Sequence, residues 1–150
     1  MGVLVIGIGQ RTAGDDGVGL AVLDAIRARG LPRGVELVAA AEGSALVPLI
    51  ASAGRVVLVD AVLAAPPGRV LDLAPADLAA GEAASISTHG LGVGQAIELA
   101  RITDPGGVAA EIQIVAVTID RPPRGAIGLS PAVAAAVPRA AARVLSLAGG

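Results

Sequence analysis

The chain has no Phe, Trp, Tyr or Cys, and only one histidine. Without aromatic rings it offers no platform for stacking bases or sugars. Without cysteine it forms neither disulfides nor thiolate metal sites, which fits a reducing compartment. Charge is sparse and balanced, with 11 basic against 13 acidic residues and a formal net charge of -2. Because the basic positions are scattered rather than gathered into a stripe, no nucleic-acid partner is expected. The opening "MGVLVIGIG" lacks a charged leader region and turns glycine-rich too early for a signal peptide. The longest apolar stretches meet Gly, Pro or a charge before the ~20 residues of a membrane span. A cytoplasmic protein with no membrane partner is the expectation.

What the chain does have is aliphatic bulk. Hydrophobic residues make up 54% of 150 positions, so the core must be built from Val, Leu, Ile and Ala. A chain of this length buries roughly 70% of its unfolded surface, and one domain over residues 1–150 is expected. Apolar runs at residues 3–8, 35–41, 55–63 and 112–119 do not alternate, the pattern of strands covered on both faces. Between them "GVGLAVLDAIRARG" places Val18, Val22 and Ile26 at helical spacing, with Gly30 as its stop. "SALVPLIASAG" predicts a short helix capped by Ser44, with Pro48 limiting its first turns. "GLGVGQAIELAR" predicts a third helix. "SPAVAAAVPRAAARVLSLA" predicts a fourth, with Ser130 as N-cap, Pro131 at the first helical position and Pro138 placed to kink it. "PPGRVLDL" reads as a turn and a short strand that could run antiparallel, and residues 75–88 read as a loop. The alternation predicts an α/β sandwich with a mostly parallel sheet.

In such a sheet chemistry collects beyond the carboxyl ends of the strands. "GQRTAGDDG" at residues 9–17 follows the first strand and has the Gly9–Gly14 spacing of a phosphate-binding loop. Asp15 and Asp16 stand where that loop carries Lys and Ser or Thr, and two negative charges would repel phosphate. The dinucleotide fingerprint fails as well, because Thr12 replaces its third glycine. Acids at the mouth of a helix suit a cation or a proton transfer. They also suit helix capping, worth about 0.3–1 kcal/mol, which accounts for one aspartate more readily than for two.

Asp60 interrupts the apolar strand "RVVLVDAV", where a carboxylate is costly unless paired, hydrogen-bonded or metal-bound. Its other reading is a strand-end residue accepting turn N–H bonds. His89, in "SISTHGLG" just before a helix, reads by itself as a surface or cap histidine. Chain order lets Asp16, Asp60 and His89 converge above one edge of the sheet. Two carboxylates and an imidazole suit Ni, Zn, Fe or Mn with coordination positions left open.

At these residues the sequence resembles the NiFe-hydrogenase maturation protease family, endopeptidases that trim the C-terminal tail of a hydrogenase large-subunit precursor. "VLVIGIGQ" followed by "GDDGVG", "VLVDAV", "STHGLG" and "IGLSPAV" match its motifs in order along nearly the whole chain. The resemblance implies a three-layer α/β/α sandwich with a twisted five-stranded sheet. It implies that Asp16, Asp60 and His89 are the catalytic and metal-contacting residues. The metal it implies is nickel already loaded in the substrate, so the free enzyme need hold no ion. Gln10 stands where the family usually has Asn, and the acid often found after the second strand is present only as Glu42. Neither residue nor Asp15 receives a role from the sequence. A monomeric, aspartic-type endopeptidase is the leading expectation. The rivals are a metal chaperone or scaffold in hydrogenase assembly, and a nucleotide-binding module.

Overall fold

A computed structural model describes residues 2–51, 54–79, 93–103, 106 and 111–149. Strand β1 (Val3–Ile8) leads into a 3-10 turn (Gly14–Gly17) and helix α1 (Val18–Arg29). Then come β2 (Val35–Ala40), a second 3-10 turn (Gly43–Ala45), α2 (Leu46–Ala51) and β3 (Arg55–Leu63). The remainder is β4 (Val70–Leu73), α3 (Pro75–Ala79), α4 (Val93–Thr103), β5 (Glu111–Ile119) and α5 (Pro131–Gly149). The strands form one five-stranded sheet in the order β2-β1-β3-β5-β4, parallel except for β4. This is the mostly parallel α/β architecture expected from the alternating runs.

The sheet is covered on both faces, which explains why its strands are continuously apolar. Successive residues of β3 point to opposite sides. Val57, Val59 and Ala61 meet Val22 and Ile26 of α1 and Ala136, Ala140 and Val144 of α5. Val56 and Leu58 meet Leu46 and Ile50 of α2 and Ala96 and Ile97 of α4. Without aromatic side chains, close approach of backbones does the filling. A methyl group on Gly19 of α1 would collide with the carbonyl oxygens of Ile8 and Val59, so α1 rests directly on β1 and β3. By length and composition alone α5 is apolar enough to cross a membrane, but here its Ala and Val stripe packs on the sheet.

Three local details differ from the sequence reading. The turn after β3 does lead to an antiparallel strand, but β4 pairs with β5 and not with β3. Both edges of β3 are already taken by β1 and β5, so the chain must cross the carboxyl end of β5 to find a free edge. Buried Thr118 anchors that crossing, donating to the Pro66 carbonyl at 2.7 Å and accepting from the Arg69 N–H at 2.8 Å. Within the expected loop 75–88, Pro75–Ala79 is a short helix. Pro75 supplies its first position, and Asp77 reaches back to accept from the Ala74 N–H at 2.8 Å. Ser44 does not cap α2; its hydroxyl donates to Glu42 Oε1 at 2.6 Å, and Pro48 sits in the first turn where its missing N–H costs nothing. Helix α5 runs from Pro131 through Pro138 to Gly149, close to the span the sequence predicts.

Candidate functional site

The strand order reverses direction between β1 and β3, because the chain leaves β1 for β2 on one side and returns to β3 on the other. A crevice opens at the carboxyl end of such a switch point. Two of the three residues singled out by sequence are described, and both lie here.

Asp60 is the first residue of β3 beyond its pairing with β1, which ends at Gly7 with Val59. On the other side it stays in register with Ala116 of β5. It therefore does not end the strand, as the sequence suggested. β3 runs on to Leu63, and what stops at Asp60 is its neighbour. The side chain is 4% exposed, and its Oδ1 accepts the Ala61 N–H at 2.8 Å.

Asp16 is brought to the same edge by Gly9. Gly9 has φ +138, and a methyl group there would strike the Asp16 backbone carbonyl oxygen, so the chain folds back over β1 only with glycine at this position. The 3-10 turn that results packs against β3. Half-buried Asp16 has its carboxyl pushed above its ordinary value of 3.8, with burial as the sole cause. Among the described residues no hydrogen bond or ion pair engages that carboxylate. The basic residue of the loop, Arg11, is committed elsewhere, donating to both oxygens of Asp24 at 2.6 and 3.0 Å. That pair holds Asp24 below its ordinary value.

Asp15 points another way. Its carboxylate accepts the Ser130 N–H at 2.6 Å and the Ser130 hydroxyl at 2.8 Å, 115 residues along the chain. Neither aspartate caps its own helix, since no side-chain cap bond is made at the 3-10 turn or at α1. Ser130 does precede α5 as expected, with its carbonyl accepting the Ala134 N–H. Its hydroxyl, however, serves Asp15. The two adjacent acids are thus divided between a structural contact and an open edge. Glu42 is occupied by Ser44, and Gln10 is exposed, with its carbonyl accepting the Ala13 N–H. His89 lies outside the described residues. Among the described residues no group of three or more His, Cys, Asp and Glu is gathered to hold a metal ion.

A cleft of about 220 Å³ lies beside Asp15, walled by Gly14 and by Pro122, Ala126 and Leu129 of the loop after β5. The turn bearing the acids therefore contacts β3 on one side and borders this cleft on the other.

The family model for HycI, hydrogenase maturation protease, matches residues 20–147. The chain belongs to this family. The match includes Asp60 and the position of His89 and begins after the opening loop. The fold agrees with it. The hydrogenase maturating endopeptidase HybD from E. coli superposes with a TM-score of 0.80 at 27% identity, covering 98% of this chain and 91% of that one. The hydrogenase 2 maturation peptidase from Thaumarchaeota archaeon SCGC_AB-539-E09 gives 0.67 at 26% identity, covering 98% and 97%. The NiFe hydrogenase maturation protease HybD from Thermococcus kodakarensis gives 0.73 at 23% identity, covering 99% of both chains, and speaks for the fold alone. Among curated proteins no relative matches. Family and fold together support a maturation endopeptidase, a hydrolase.

Proposed function

We propose that this protein removes the C-terminal extension of a NiFe-hydrogenase large-subunit precursor after nickel insertion. Asp16, Asp60 and His89 complete the coordination of the nickel that the precursor carries. The observation that carries this reading is geometric: a buried aspartate stands where β1 leaves β3, next to the turn that presents a second, half-buried aspartate. His89 precedes Val93, the first residue of α4, by four positions, a reach of at most ~14 Å. Val93 shares the apolar cluster of the sheet face toward which the alternation of β3 turns Asp60.

The donor set fits a borderline divalent ion, with positions left for substrate groups. Without the ion, the precursor lacks the group these donors would bind, so empty precursor docks poorly; selectivity is the difference between the two affinities. Hydrolysis needs a proton taken from water and one delivered to the leaving amine. Asp16, whose carboxyl burial raises above its ordinary value, carries the proton work in the aspartic-type reading. A bound ion would add polarisation of the scissile carbonyl or a more acidic water. A single-domain, monomeric, cytoplasmic enzyme goes with this proposal, and its cysteine-free composition supports the compartment.

The test is mass analysis of nickel-loaded and nickel-free precursor after incubation with the protein. Loss of the tail from the loaded form alone is expected. Equal cleavage of both forms would remove the metal gate. Binding of the loaded precursor without cleavage would instead support the chaperone or scaffold role.

A further inference from the structure

The bonds between Asp15 and Ser130 have a consequence for catalysis. The 3-10 turn carrying both acids runs from Gly14 to Gly17, with Gly9 five residues before it. Glycines leave a backbone loose unless something else fixes it, and no side-chain cap bond helps the turn's own backbone bonds to do so here. In a 3-10 turn adjacent side chains diverge by about a third of a turn. Holding one of two neighbouring residues therefore fixes the direction of the other.

Asp15 is the residue held. Two short hydrogen bonds tie it to Ser130, and it is 9% exposed. Its negative charge lies at the positive end of the 19-residue α5, so it is stable there without a cation. The contact continues through the backbone. Gly14 has φ +60, and a methyl group on it would press on Ala126 and Pro122 at 3.1 and 3.2 Å. The loop after β5 thus lies directly against the turn.

We infer that Asp15 is a positioning residue: by clamping Ser130 it locks the turn to the start of α5 and aims Asp16 at the substrate. This rests on the proposed function for its catalytic part, while the clamp itself can be measured separately. Misplacement of a reacting group by about 1 Å can cost 10²-fold in rate.

The experiment compares Asp15→Ala, Asp15→Asn, Ser130→Ala and Ser130→Thr for cleavage of nickel-loaded precursor, with hydrogen exchange at the Asp16 and Ser130 amides. Asp15→Ala is expected to lower kcat about 100-fold with KM changed less than about 3-fold, and to speed exchange at both amides. Ser130→Thr keeps the hydroxyl and should retain most of the rate; Ser130→Ala should fall between. In an Asp16→Asn background, Asp15→Ala should lower the residual rate by less than about 3-fold while reducing Tm as much as in the parent. A purely structural aspartate would give equal rate losses in both backgrounds, and that result would overturn positioning. Unchanged exchange in Asp15→Ala would overturn the clamp. If Asp15→Ala does not fold, the same cycle with Ser130→Ala decides the matter. Failure of the unsubstituted protein to cleave loaded precursor would overturn the proposed function and Asp15's catalytic part with it, and exchange would still judge the clamp.

Discussion

At the amino edge of the sheet, where β3 and β5 begin, Arg55 donates to Glu111 at 2.9 Å and to the Leu147 carbonyl at 2.8 Å. Charge there is answered by charge, and the pair ties the end of α5 to the sheet. At the carboxyl edge the arrangement is the reverse. Asp16 is half-buried and pushed up in pKa by burial, and no basic side chain among the described residues pairs with it. Asp60 is buried within a strand. Half-burying the Asp16 carboxylate without a cation costs stability, and the proposed function accounts for that cost by what this edge receives. The amino edge is paired for stability, and the proposed function assigns the chemistry to the carboxyl edge.

Substitutions can break or sharpen that contrast. The largest effect is expected from Gly9→Ala, which forces a side chain into the Asp16 carbonyl at a left-handed backbone position. Loss of about 3 kcal/mol or more, a fall of at least about 6 °C in Tm, and loss of precursor cleavage should follow. A parent-like Tm would show that the loop does not depend on this contact.

Asp16→Asn comes next, with cleavage reduced about 10²–10⁴-fold in a folded protein. Its stability should move the other way. Because the folded carboxyl titrates above 3.8, the native state binds more protons than the unfolded one in the interval between the two values. Stability is therefore lost as pH rises through that interval, and the full cost is present above it. The amide variant should melt higher than the parent at neutral pH. That advantage should vanish as pH falls below about 3, where both states are protonated. A Tm difference independent of pH would remove burial of the charge as its cause.

Arg55→Ala should cost about 1 kcal/mol and leave cleavage of loaded precursor at the parent rate. A large rate loss would contradict the separation of the two edges. The smallest effect is expected from Arg11→Ala, whose partner Asp24 is exposed like itself. A Tm shift below about 1 °C that disappears in high salt is expected, with cleavage unaffected.

Much of the fold was legible because its signals are local. Continuous aliphatic runs mark strands covered twice, and helices follow from spacing and stop signals; β1, β3 and α1 come out within a residue or so. The pairing of β4 was not legible, since a strand's partner depends on which edges other segments have already filled. The helix Pro75–Ala79 carried a readable sign in Pro75 and Asp77, passed over because small residues dominate that stretch. In the site, Asp60 was legible as a charge in an apolar run. Its place at the end of β1 rather than of β3 was not, because register is a property of two strands.

By itself the sequence determined the layered α/β class and marked which acids are costly, since both follow from hydrophobicity and charge read along the chain. Only the tertiary structure decided what those acids do. Asp15 and Asp16 are adjacent and chemically identical, yet one is spent on a helix 115 residues away and the other is left open. Hydrogen bonding and burial are set by what folding brings into contact, and chain order does not contain that.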